Sequence, residues 1–285
     1  MFFVAILAAI FSLISPFWGL FLIVGFGSKY HTPKQNRVFW VVNLSALITF
    51  VLLGRNDIVL LNVFDALIGS TLLSVLFFWA YNSSGTYTKA IFVTFFVGLI
   101  YSIARYYFFT TEIEKGIQMA YDFYQTVIDN KFGAEQEKVV LLKDFIWKTK
   151  NLLTTFQIAV WNISEMFFFY LAVIIMMKKR GEYELHKIMR MPYISVYFLI
   201  IFLFLDLFSP TKHIGFNLTL SLATLFIIQG FSILDYFWGE IFSRSKVLLF
   251  LLIISLLFNI FVLILVALTG LIDIWTDFRK IKENI

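Results

Sequence analysis

The stretch "VWNISEMFFFYLAVIIMMKKR", Val160 to Arg180, decides the fold. It is apolar over most of its length and ends in three cations. It holds one carboxylate, Glu165, with no cation beside it. A run of this length reads as a transmembrane helix, and Lys178, Lys179 and Arg180 read as its cytoplasmic edge. The rest of the chain agrees. Of its 285 residues, 60% are hydrophobic and only 14% are charged, where a soluble domain carries roughly a quarter.

Working outward, apolar runs cover Phe2 to Phe26, Val38 to Leu53, Ile58 to Ala80, Lys89 to Phe109, Asn151 to Met177, Pro192 to Ser209, His213 to Trp238 and Val247 to Thr269. They predict an all-α, polytopic transmembrane helix bundle of about eight spans, forming a single domain over residues 1–285. Pro16 and Gly19 interrupt the first run, because proline removes a ladder hydrogen bond. Continuous runs argue against a β-barrel, whose strands alternate in short segments.

Between spans four and five lies the only sizeable polar segment, residues 110–150. Ile113, Ile117, Tyr121, Tyr124 and Ile128 recur at steps of three and four, as do Val139, Leu142 and Ile146. This predicts an amphipathic helical pair, with "NKFGAEQE" as its turn. The pair is expected to lie on the membrane or to cap the bundle.

Lys and Arg beside span ends set orientation. Lys29, Lys34 and Arg37, then Lys178 to Arg190, then Arg244 and Lys246, fall on one side of an alternating topology, with "YNSSGTYT". That side is taken as cytoplasmic, and residues 110–150 fall outside. The tail, with Arg279, Lys280 and Lys282, conflicts: eight complete spans would place it outside. The N-terminus lacks a basic n-region and reads as a retained helix, not a signal peptide.

Several functions are excluded. Cysteine is absent, and His31, His186 and His213 have no ligand spacing, so no metal or cofactor is expected. The formal charge of +5 belongs to span ends, so nucleic acid is not an expected partner. No H-E-x-x-H, G-x-S-x-G, Walker A or Asp-rich Mg²⁺ motif occurs, and no enzyme is expected.

Polar groups at membrane depth carry the functional reading, because each charge there costs roughly 2.5–3.5 kcal/mol even on a lenient scale. Asp65, Arg105, Glu165, Asp206 and Asp235 are the candidates, with Asp235 near a boundary and open to solvation. Arg105 is expected to pair with Asp65, or else Asp206, because a guanidinium binds a carboxylate bidentately. Glu165 then lacks a cation and is expected to face the bundle interior as a neutral acid, near Asn162. Asn217, Ser221 and Thr224 form a second stripe, with Gln229 on the same span. Tyr101 and Trp161 lie deep enough to pack or to stack on a ligand, and Asn259 reads as interhelical glue. The expected site comprises Asp65, Tyr101, Arg105, Trp161, Asn162, Glu165, Asn217 and Gln229, all substrate-binding and none catalytic.

Three pieces, "NISEMFFFYLAVIIMMKKRGE", "NLTLSLATLFIIQGFSILDYF" and "TGLIDIWTDFRK", resemble the YybS-like family of bacterial predicted membrane proteins. The last carries Gly270, Asp273, Asp277 and Arg279. The resemblance covers about half the chain in patches and implies a bacterial cytoplasmic membrane but no activity. The start, "VAILAAIFSLISP", is similar to the first helix of S components of energy-coupling-factor transporters. There Ala5 and Ala9 would let a partner subunit pack closely.

Three readings compete, one of them an enzyme or proton-coupled carrier using Glu165; the other two differ in what they predict for the polar residues. One is a solute-binding or transport component with an outward-facing polar pocket, an unknown small polar solute and a separate energising partner. The other is a non-transporting scaffold or regulatory protein in the bilayer. The first predicts a polar cavity; the second predicts polar groups that satisfy one another.

Overall fold

The structure, a computed structural model, describes residues 11, 15–26, 40, 43–44, 47–48, 51, 57–132, 136–209 and 211–280. Ala5, Ala9, most of the run Val38 to Leu53, and Lys29, Lys34, Arg37 and Lys282 lie outside the described residues.

Every described element is helical. In chain order they are α1 (Pro16–Phe26), α2 (Asp57–Phe64), a π-helical stretch (Asp65–Leu72), α3 (Leu73–Ser84), α4 (Tyr87–Phe132), α5 (Gln136–Thr155) and α6 (Gln157–Arg180). There follow α7 (Glu184–Lys187), α8 (Ile194–Leu207), α9 (Lys212–Arg244), α10 (Lys246–Phe258) and α11 (Ile260–Thr276). Among the described residues, four helices are long and apolar enough to cross a membrane: Val59–Ser84, Tyr87–Asn130, Gln157–Arg180 and Lys212–Arg244. Pro16–Gly25, Ile194–Leu207 and Ile260–Thr276 are shorter apolar helices. The chain is a helical, polytopic membrane protein. Large apolar side chains such as Phe108, Leu207 and Phe261 stand exposed on its outside, as lipid-facing residues do.

Helix α6 is central, packed against α1, α4 and α9. Its buried face carries Met166, Phe169, Val173, Met176 and Met177. Phe169 meets Phe77 of α3 edge to face, with centroids 5.1 Å apart. Such pairs add roughly 0.5–1.5 kcal/mol beyond area burial. Gly181 ends α6 in the left-handed region at φ 72°, behind Lys178, Lys179 and Arg180 in its last turn. Those cations suit the negative end of the helix dipole.

Helices α9 and α11 approach through glycine. A Cβ on Gly270 would strike the Phe226 carbonyl, and one on Gly230 the Val266 carbonyl. Small residues permit this backbone contact, which is how membrane helices gain packing energy without a hydrophobic driving force.

The sequence reading and the structure meet at three places. First, residues 110–150 are largely two helices, as expected, but the first is not separate from span four. The first belongs to α4, which runs 46 residues out of the bundle with a kink at Phe109 (φ −127°, ψ 21°). No proline intervenes to stop it, and Gly116 is accommodated within the helix. Helix α5 folds back along it, so Ile113, Ile117, Tyr121 and Tyr124 share a cleft with Ile146 and Leu153. The ion pair Lys143–Asp129, at 2.6 Å, crosses the hairpin.

Second, the run Val247 to Thr269 is not one span. Asn259 is extended (φ −126°, ψ 100°) and caps α11, its side chain accepting from the Phe261 amide. Asparagine prefers this N-cap role, which supplies a partner to an otherwise orphaned N–H. Third, the first run breaks before Pro16, as expected, and Pro16 opens α1. Proline suits a first helical position, where the missing N–H is not needed. Gly19 causes no break.

Contacts also group the chain's ends. Tyr81 and Tyr87 both donate to the Glu182 carboxylate. Lys179 donates to the Gly25 carbonyl at 3.0 Å, and Arg279 to the Lys187 carbonyl at 2.7 Å. The 81–88 turn, the 178–191 loop, the end of α1 and the tail through Arg279 therefore share one end of the bundle. The α4–α5 hairpin projects at the other.

Candidate functional site

The site near the hairpin is built on the π-helical stretch, α4 and α6. Asp65 opens the π stretch and is buried. A π turn widens the helix and is frequent at functional sites. This one is pinned by Ser70, which donates to the Pro16 carbonyl at 2.6 Å. Arg105, from α4, donates through Nε to both Asp65 oxygens, at 2.9 and 3.2 Å. Tyr101, one turn earlier, donates to Asp65 Oδ1 at 2.6 Å. The Arg105 guanidinium lies over the Trp161 ring, 3.9 Å from its centroid. Asp65 is thus the partner of Arg105, as its place on the adjoining span predicts.

Gln157, Trp161, Asn162 and Glu165 occupy one face of α6 and are all buried. Spacings of four and eight residues from Gln157 put Trp161 and Glu165 on that face. Both amide atoms of Gln157 and of Asn162 lack a hydrogen-bond partner, while the Trp161 indole N–H is the polar neighbour of the Glu165 carboxyl. Glu165 is fully buried, as expected. Its carboxyl fills a hollow at Gly98 of α4, where an added Cβ would strike it.

Two adjoining cavities open beside this face. The smaller, about 130 Å³, is lined by Phe17, Arg105, Gln157, Trp161 and Ser164, with apolar neighbours. The larger, about 390 Å³, lies within the α4–α5 hairpin and includes Asn62, Arg105, Glu112, Thr149 and Lys150. Arg105, Ile113, Ile117 and Leu153 belong to both. Neither wall includes Glu165, Asn162, Tyr101 or Asp65. Glu165, expected among the substrate-binding residues, therefore does not line either cavity: its carboxyl lies against Gly98 of α4.

Asn217 and Gln229 do not join the cluster. Asn217 accepts from the Ala159 amide at 3.1 Å and donates to the Thr155 and His213 carbonyls. It splices the broken junction between α5 and α6, where Phe156 leaves helical geometry (φ −112°, ψ 32°). Ser221 and Thr224 bond to carbonyls of their own helix, as isolated hydroxyls in helices do. Gln229 accepts from the Met191 amide at 2.8 Å and donates to Asp273 at 2.9 Å, at the loop end.

There it belongs to a clasp around Arg279. That guanidinium, fully buried, donates to Asp273 at 2.7 Å, to the Lys187 and Met189 carbonyls at 2.7 and 2.8 Å, and to Ser232 at 2.6 Å. The chain doubles back to deliver it: Asp277 and Lys280 adopt left-handed φ of 49° and 52°. Alongside, His186 joins Tyr170 to Asp235, with Nδ1 2.8 Å from the Asp235 carboxylate. Asp235 is thus paired rather than merely solvated.

Gln157, Ser164 and His186 were not singled out from sequence. Gln157 was findable, because it lies two turns before Glu165 on the same face. His186 was not, because its partners are 16 and 49 residues away. Comparison with protein-family models, with curated proteins and with solved structures finds no match to this chain.

Proposed function

We propose that this protein is a solute-binding or transport component of a bacterial cytoplasmic membrane, with a polar pocket on its outward side. One observation carries this reading. Gln157 and Asn162 carry unpartnered buried amides on one face of α6, and Gln157 lines a cavity together with Arg105. Each unmet group costs about 1–3 kcal/mol. A protein that only needs to fold gains nothing by concentrating such costs in two turns. A protein that must take up a polar solute does.

In this reading the loop end is cytoplasmic, on account of its cations, and the hairpin is outside. Seven of the eight apolar runs cross, and the last turns back at Asn259. That returns Arg279 to the side of the 178–191 loop and removes the conflict over the tail. No nucleotide-binding motif is present in the sequence, so uptake would draw on a separate energising subunit, docking through Ala5 and Ala9. The resemblance to YybS-like proteins is compatible with this assignment, and the residues that carry it at the C-terminal end, Gly270, Asp273 and Arg279, serve the clasp.

The scaffold reading has one observation in its favour. The hairpin exposes Phe123, Leu141 and Phe145, a surface a partner protein would cover. A thermal-shift screen of the purified protein against small polar solutes separates the two. Binding should raise the unfolding temperature of the wild type and not that of Gln157→Leu/Asn162→Leu. If no solute shifts the wild type while the double variant unfolds at a higher temperature, the polar face has no ligand and the scaffold reading stands.

A further inference from the structure

We infer that the solute is a carboxylate on an apolar body, held through the terminal nitrogens of Arg105. This rests on the pocket reading above and names its substrate class. Arg105 spends only Nε on Asp65. Its two terminal amino groups have no partner among the described residues, and its side chain lines both cavities. The guanidinium is not free to swing: Asp65 holds one edge, and the Trp161 ring lies against its face at 3.9 Å. What remains is a fixed, planar pair of N–H donors facing the cavity. That is the geometry that matches a carboxylate bidentately.

The inner cavity reinforces the choice by its inventory. Gln157, 6% exposed, lines it with an unmet amide. Its NH₂ group, the Ser164 hydroxyl and the Arg105 terminal nitrogens outnumber the acceptors there. A ligand rich in acceptors satisfies this set, whereas an ammonium would add donors to donors. No carboxylate lines this cavity to receive a cation. Glu112 and Lys150 line the outer cleft with opposite charges. The cleft's Ile113, Ile117, Tyr121, Ile146 and Leu153 supply the apolar bed for the body of the acid. At about 390 Å³, it falls within the usual range for small-molecule sites, roughly 300–1,000 Å³.

The test uses the full-length protein, purified in detergent for soluble probes and in nanodiscs for a lipid one. Four probes are compared by thermal shift: hexanoate, hexanamide, hexylammonium and oleate. Hexanoate or oleate should raise the unfolding temperature with dose, and the two non-acids should not. A response to hexanoate assigns a free acid; a response to oleate alone assigns a membrane-derived one. Arg105→Lys keeps the charge and loses the planar fork, and should weaken binding about tenfold, the equivalent of one charge-assisted hydrogen bond. Should Arg105→Lys fold poorly, Gln157→Leu, which leaves the ion pair intact, should show a comparable loss. Stabilisation by hexanamide or hexylammonium equal to that by hexanoate overturns the carboxylate class and leaves the pocket standing. Silence of all four overturns the class as well, while the wider solute screen decides the pocket separately.

Discussion

Two arginines of this bundle pair with buried aspartates, and they are used in opposite ways. Arg279 donates to an aspartate, two carbonyls and a hydroxyl, and only its Nε is left over. Arg105 donates to one aspartate through one nitrogen and turns its remaining donors toward a cavity. Around Arg279, Gln229 and Asp273 are spent on one another and on backbone. Around Arg105, the amides of Gln157 and Asn162 are spent on nothing. The same ion-pair chemistry closes one end of the molecule and leaves the other receptive. A buried arginine–aspartate pair therefore says little by itself. What its other nitrogens do separates a fastening from a site.

The largest expected effect tests the closed end. Arg279→Ala takes the cation from Asp273, which keeps only Gln229 and the Phe278 amide, and removes four donated hydrogen bonds from a fully buried site, so it should cost about 3–5 kcal/mol. Detergent unfolding curves should show it as the most destabilising of the changes described here. Arg105→Ala should cost less, about 1–3 kcal/mol, because Tyr101 still donates to Asp65 and the cavity admits water. It should still exceed the exposed Lys212→Ala. Equal losses for Arg279→Ala and Arg105→Ala would erase the contrast.

Gly98→Ala probes the hollow at Glu165. Its methyl meets the carboxyl directly, so it should destabilise by about 1–2 kcal/mol. Glu165→Ser, which vacates the hollow, should relieve most of that in the double variant. The smallest effect has the opposite sign. Asn162→Leu should stabilise by up to about 1 kcal/mol, since an apolar side chain replaces two unmet polar atoms. Gln229→Leu at the loop end should destabilise instead. The difference in sign is the sharpest form of the comparison.

Much of this was legible in the sequence. Run lengths gave the helices, and depth along adjoining spans paired Arg105 with Asp65. The inward aim of Glu165 followed from the cost of exposing it to lipid. What was not legible depended on contacts between segments remote in sequence. Asn217 and Gln229 looked like site residues because they are polar at depth. Nothing local reveals that one splices α5 to α6 and the other binds the 191 backbone. Asn259 looked like glue because a cap inside an apolar run has no composition signature. Arg279 read only as a cation of a tail on a conflicting side, since the double-back at Asp277 and Lys280 breaks the usual preference of non-glycine residues for negative φ.

The kink at Phe109 makes α4 a lever with unequal arms. From Phe109 to Phe132 the outer arm is about 35 Å long at 1.5 Å per residue. Arg105 sits one turn inside the fulcrum, about 6 Å away. With α4 turning about that point, a 6 Å swing of the hairpin tip displaces Arg105 by about 1 Å. The mechanical advantage, close to six, also runs in reverse. Were both arms to turn as one body, a force applied at the tip would reach the guanidinium multiplied, whereas a small shift of Arg105 against Asp65 would be broadcast as a wide excursion of the hairpin.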